Sequence, residues 1–188
     1  MKIAYQGIKG SYSESCAQEM YPDCETIACK TFDDVFNKAN EDGEVRAIIP
    51  ESNKTTGNIG VEYLIFKYRL NIYQEKFYPI QHHLLGLPGT KIEDVKNVFS
   101  HAQGLSQCSN FIKKNNFVEN VRADTAGSAK YVSESKNKNE AAIASKQSAK
   151  IYNLDILASN IEDEKENVTR FLLMGKPVIQ PELKKDKY

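Results

Sequence analysis

"LNIYQEKFYPIQHHLLGL", residues 70–87, is a stretch of strand-forming residues broken only by Pro79. Strands in compact sheets usually span 3–10 residues, so this run is too long to be one strand of one sheet. Proline lacks the N–H that an inner strand donates, and Pro79 therefore reads as a bend. A chain that leaves one sheet here and enters another fits the run better than a single open sheet does.

The flanking pattern agrees. Upstream, "KIAY" (2–5), "TIAC" (26–29) and "VRAIIP" (45–50) read as strands. Between them, "SESCAQEMY" (13–21) reads as a helix with Ser13 as N-cap, and "TFDDVFNKANE" (31–41) opens with Thr31 and Asp34 spaced as a capping box. "NIGVEYLIFKY" (58–68) places Ile59, Tyr63, Leu64, Phe66 and Lys67 at helical intervals. The series restarts near residue 80, and a second run of alternating elements begins near residue 92. "VKNVFS" (95–100), "VENVRA" (118–123), "AAIAS" (141–145), "LDILA" (154–158) and "VTRFLLM" (168–174) read as strands, with amphipathic helices at 102–115, 126–135 and 146–153 between them. Alternating β and α elements favour parallel, doubly wound sheets. The expected fold is thus two doubly wound α/β lobes with a cleft between them. Lobe 1 would span about 1–78 plus 163–180, lobe 2 about 79–162, and residues 181–188 form a polar tail.

Composition narrows the function. Among 188 residues, Lys plus Arg and Asp plus Glu both number 25, so the surface makes no electrostatic case for nucleic acid or an anionic membrane. No apolar run approaches the ~20 residues needed to span a bilayer, and no signal core opens the chain; a cytoplasmic protein is expected. Cys16, Cys24, Cys29 and Cys108 form no CxxC pair and read as buried free thiols. No group of carboxylates, histidines and cysteines has metal-ligand spacing, so neither metal nor cofactor is expected.

The strand ends carry the chemistry. "GIKGSYS" supplies Gly7, Gly10, Ser11 and Ser13; "AIIPESN" ends in Ser52 and Asn53; "NVFSHAQ" brings Ser100, His101 and Gln103; "VRADTAGS" brings Asp124, Thr125 and Gly127; "AAIAS" ends in Ser145. Each alone is an ordinary helix N-cap. Together, neutral donors beside helix N-termini suit a small anion at the carboxyl ends of the strands. Arg170, inside the apolar "VTRFLLM", reads as a guanidinium fork for a carboxylate, beside the Thr169 hydroxyl. His82 and His83 sit next to each other on a strand, so one should point inward and the other outward; a satisfied structural histidine is the plainer reading of each. No GxSxG, Walker loop or GxGxxG appears.

In their order and spacing, "IAYQGIKGSYSE", "SHAQGLSQC", "DTAGSA", "AAIAS" and "TRF" resemble the catalytic domain of prephenate dehydratases from residue 3 to about 175. The resemblance implies two α/β lobes like those of type II periplasmic binding proteins. It also implies conversion of prephenate to phenylpyruvate in phenylalanine biosynthesis, and a homodimer. Thr169, at the threonine of the family's TRF motif, would be catalytic, while Arg170, Asn53, Ser100, Gln103, Thr125, Ser11 and Phe171 would bind substrate. Where the family has P-x-E-N-S-x-x-G, this chain has "PESNKTTG": Asn53 is kept, Ser52 replaces the glutamate and Lys54 the serine. Many members continue into a phenylalanine-binding ACT domain, and the few residues after the last strand are too short for one. Two rivals share these features. One is arogenate dehydratase, whose substrate has an amino group in place of the keto oxygen; the other is a two-lobed carboxylate receptor without chemistry.

Overall fold

The computed structural model describes residues 1–177. The expected polar tail at 181–188 and the end of the lobe-1 segment expected to reach 180 lie outside the described residues. The first half of the chain forms β1 (Lys2–Gln6), α1 (Tyr12–Met20), β2 (Glu25–Cys29), α2 (Phe32–Glu41), β3 (Val45–Asn53), the short β4 (Gly57–Asn58), α3 (Glu62–Tyr68) and β5 (Asn71–Pro79). The second forms β6 (His83–Gly86), β7 (Asn97–Ser100), α4 (Ala102–Ser106), α5 (Ser109–Lys114), β8 (Val118–Val121), α6 (Thr125–Ser135), β9 (Glu140–Ala144), α7 (Lys146–Ile151) and β10 (Asp155–Ala158). The last described strand is β11 (Val168–Gly175).

These strands make two sheets. One has the order β2-β1-β3-β11-β5 with β4 on β3, and the other the order β10-β6-β9-β7-β8. The run 70–87 supplies β5 to the first and β6 to the second, bending after Pro79, and β11 returns to the first sheet between β3 and β5. Alternate residues bury both faces of each sheet. Ile3, Tyr5, Ile48 and Phe171 pack on one side of the first, and Ala4, Ile49, Leu64 and Leu172 on the other. Leu84, Val98 and Ile143 oppose Leu85, Phe99 and Ala142 in the second.

The sheets are mixed rather than parallel. β1 runs parallel to β2 and β3, and β7 to β8 and β9, whereas β11 is antiparallel to β3 and β5, and β6 to β9 and β10. The crossing strands enter each sheet from the other lobe, and so from the opposite direction to the βαβ units already there.

Three local expectations are corrected. The N-cap of α1 is Ser11, whose Oγ accepts the Glu14 N–H, and not Ser13. The helix at 58–68 starts only at Glu62, because Gly60 holds a positive φ of 82° just before it; Tyr63 and Phe66 are exposed and Leu64 alone is buried within the helix. The helix at 102–115 is two helices, since Cys108 leaves helical geometry at φ −120°, ψ 21°. The Thr31–Asp34 capping box forms with both reciprocal bonds. All four cysteines are free; Cys24 is half-buried and the other three are buried.

Candidate active site

The helix N-termini of the two lobes face each other across a cavity of about 420 Å³. Lobe 1 lines it with Ser11, Tyr12, Asn53, Thr169 and Phe171, lobe 2 with His101, Gln103, Gln107, Asp124 and Thr125, and the crossing segment with Ile80 and His82. The turn before α1 depends on Gly10, whose φ is +90° and where a Cβ would lie 2.7 Å from Ser148 Oγ. The Ser145 and Ser148 hydroxyls both donate to the Gly10 carbonyl, tying this turn to the other lobe. Ser145 thus caps α7 and joins the lobes; it does not line the cavity.

A directed chain of hydrogen bonds runs through the wall of the cleft. Asn53 is its hub. Asn53 Oδ1 accepts from the backbone N–H groups of Thr55 and Thr56 at 2.9 and 3.2 Å, and from the Thr55 hydroxyl at 2.6 Å. This orients the amide, and Asn53 Nδ2 then donates to Asn167 Oδ1 and Thr169 Oγ1, each at 2.8 Å. Because Thr169 Oγ1 accepts, its own O–H is left without an acceptor among the described residues and is free to donate into the cavity. Across the gap, Gln107 Nε2 donates to Thr55 Oγ1 at 2.7 Å and Gln103 Nε2 to Thr56 Oγ1 at 2.9 Å. Gln107 Oε1 lies 2.8 Å from His82 Nε2, and His82 Nδ1 lies 2.9 Å from the Tyr12 hydroxyl. The Tyr12 hydroxyl also donates to the Gln81 carbonyl at 2.8 Å, so the directed part of the chain begins at His82. With Nε2 protonated, every link from His82 through Gln107, Thr55 and Asn53 donates toward Thr169. Bonds aligned in this way polarise one another and strengthen the last donor.

Several sequence expectations meet here. Thr169, Asn53, Gln103, Thr125, Ser11 and Phe171 all line the cavity, although Asn53 has its donors and acceptor engaged within the wall and acts by holding Thr169. Two residues do not come to the cleft. Ser100 is fully buried and donates from Oγ to the Ile143 carbonyl at 2.6 Å, joining β7 to β9. Arg170 does not line the cavity: its guanidinium bonds Glu75 at 2.8 Å and Glu51 at 3.4 Å. Successive strand residues point to opposite faces, so the alternation that turns Thr169 and Phe171 to the cleft turns Arg170 away. Lys54 likewise pairs outside the cavity, with Glu166.

Gln107, Tyr12 and His82 were missed as site residues. Gln107 lies one turn after Gln103 in "QGLSQ", a spacing that puts both amides on one helix side, and this was the available signal. His82 faces the cleft and His83 the opposite groove, as alternation requires, but both are buried.

Burial holds both imidazoles below the usual histidine value of 6.5; for His82 the Gln107 bond and Glu162 oppose it, and for His83 Glu162 does. His83 Nδ1 is also buried without a partner. Packing around the Tyr12 phenol raises it well above its usual value, so it stays a donor. The folded-state values lie below the unfolded ones. The unfolded chain therefore takes up protons first as pH falls, and the histidine contribution is full above pH ~6.5 and lost below it. Denaturant midpoints should drop between pH 7 and pH 5, by less in His83→Gln; an identical profile in that variant would show His83 to be solvated.

Among the described residues, no group of three or more His, Cys, Asp or Glu side chains is placed to hold a metal ion, and no helix is long and apolar enough to cross a membrane. Fold and site together define a two-lobed α/β protein with a cavity between its lobes, lined largely by neutral polar side chains near helix N-termini. More particularly, the chain belongs to the prephenate dehydratase family, whose pattern it matches over residues 3–178. It is 42% identical over 182 residues to arogenate dehydratase 2 of Petunia hybrida, covering 96% of this chain and 46% of that protein. The structure of prephenate dehydratase from Arthrobacter aurescens in complex with L-Phe superposes with a TM-score of 0.87 at 25% identity, covering 97% of this chain and 62% of that one. A structure described as the quorum quenching acylase GqqA gives 0.88 at 30%, covering 96% and 66%. An ABC transporter chain at 12% identity and TM-score 0.54 shares the fold alone. The chain spans about half the length of the curated relatives it matches.

Proposed function

We propose that this chain catalyses the decarboxylating dehydration of prephenate to phenylpyruvate, a step toward phenylalanine, as a carbon–oxygen lyase. The observation that carries the proposal is the donor chain ending at Thr169. In the reaction the bond from ring to carboxylate breaks, its electron pair moves through the ring, and the bond to the ring hydroxyl breaks. Carbon dioxide leaves, the departing oxygen takes up one proton to become water, and the ring becomes aromatic. Aromatisation supplies the driving force, so no nucleophile is needed; orientation and a hydrogen bond to the departing oxygen suffice. Thr169 Oγ1 supplies that bond, held by Asn53. Threonine is too weak an acid to ionise here, so it acts as a placed donor and the proton comes ultimately from solvent.

The substrate carboxylates are assigned to the leading amides of α1, which lack intrahelical acceptors, and to the Ser11 hydroxyl, which accepts the Glu14 N–H and can still donate. Phe171 and Ile80 form the apolar wall for the ring. Incubation with prephenate should give phenylpyruvate, read by its absorbance in alkali, with a chelator present. Binding without product would replace this reading with that of a receptor. A cytosolic homodimer belongs to the same proposal; sedimentation of a monomer at micromolar concentration would remove the dimer.

A further inference from the structure

The cleft receives a doubly negative molecule in the proposed reaction, yet among the side chains that line it Asp124 is the only one with a full charge. The cations adjacent in sequence to lining residues are engaged elsewhere: Arg170 with Glu51 and Glu75, Lys54 with Glu166, and Arg122 over the Tyr131 ring at 4.0 Å. A carboxylate pointing into a pocket for carboxylates needs a reason beyond capping. Ser11, Thr31 and Ser145 cap α1, α2 and α7 with neutral hydroxyls, and a hydroxyl would cap α6 equally well.

Asp124 does cap, with one oxygen. Its Oδ1 accepts the Gly127 N–H, while Oδ2 has no donor among the described residues. Gly127 makes this posture possible: a Cβ there would lie 2.9 Å from Oδ2 and 3.1 Å from Oδ1. The α6 N-terminus, which would otherwise attract an anion, is thus occupied by the protein's own carboxylate. A keto acid side chain brought beside it offers only acceptors. An amino acid side chain offers an ammonium, which converts the same position into a charge-assisted hydrogen bond.

We propose that Asp124 is a specificity-determining residue: its free carboxylate oxygen receives the side-chain ammonium of arogenate, and the cleft prefers that amino substrate to its keto counterpart prephenate. The assignment rests on the dehydratase reading. It leaves the chemistry unchanged, since the ring carboxylate, ring hydroxyl and Thr169 play the same parts, and the product is then phenylalanine. The net charge brought into the pocket falls from two negative charges to one, which suits a site with no free side-chain cation.

The test compares kcat/KM for both substrates in the wild type and in Asp124→Asn and Asp124→Ser, both of which keep a capping oxygen. The wild type should favour arogenate. Either variant should lower the arogenate-to-prephenate ratio about 10–100-fold, the range of one charge-assisted hydrogen bond, chiefly through a higher KM for arogenate and with gain for prephenate. A wild type that favours prephenate, or variants that lose both substrates in parallel, would overturn the assignment while leaving the dehydratase reading in place. A wild type inactive on both would instead overturn the dehydratase reading itself.

Discussion

Thr169→Ala is expected to lower kcat about 100- to 1000-fold with little change in KM. The loss is that of one preorganised donor to a charge that develops in the transition state, about 2.7–4 kcal/mol. Thr169 is buried at 6% exposure; its hydroxyl accepts from Asn53 Nδ2 and has no acceptor for its own hydrogen among the described residues. Methyl loss and an unmatched Asn53 N–H should cost about 1–3 kcal/mol of stability, so the variant should still fold. Thr169→Ser restores the donor and should recover most of the activity. Turnover by Thr169→Ala within about fivefold of wild type would dismiss the hydroxyl from catalysis.

Asn53→Ala should act on both turnover and folding. It removes the acceptor for the Thr55 and Thr56 amides and the donor to Asn167 and Thr169, all in the buried wall. We expect a loss of about 2–3 kcal/mol in stability, from buried polar groups left unpaired, and a fall in kcat of at least about 100-fold. Asn53→Asp separates the two effects. A carboxylate keeps the acceptor for the 55–56 turn but presents an oxygen to Thr169, whose O–H then turns back toward residue 53 and away from substrate. Asn53→Asp should therefore melt closer to wild type than Asn53→Ala yet be as inactive. Near-normal turnover in Asn53→Asp would show that the direction of the donor chain is irrelevant.

Much of this site was legible in the strand ends. Ser11, Asn53, Gln103 and Thr125 follow strands whose carboxyl ends face a cleft, and Thr169 and Phe171 share one face of β11. Arg170 was misread because an isolated arginine in an apolar strand suggested a ligand, while its acidic partners lie 95 and 119 residues away. Ser100 was misread for a similar reason: a strand-end serine looks like a donor to ligand, but its acceptor is the Ile143 carbonyl of a neighbouring strand. Gln107 was missed although its spacing from Gln103 puts both amides on one helix side; its partners, Thr55 and His82, lie 52 and 25 residues away.

Periodicity and turn residues were enough, without coordinates, to establish the restart of the series near residue 80 and the alternation of strands and helices, but Thr169 and Arg170 were read as sharing the cleft although strand alternation turns them to opposite faces. Periodicity could not say which face was the cleft, that β11 would run antiparallel between β3 and β5, or that Asn53 would meet Asn167 and Thr169. The reason is physical. Local pattern reports the conformation of neighbours along the chain, whereas the cleft arises from groups far apart in it: Asn53 meets Thr169 only when β3 pairs with β11, and Gln103 and Gln107 reach Thr56 and Thr55 only when the two lobes meet.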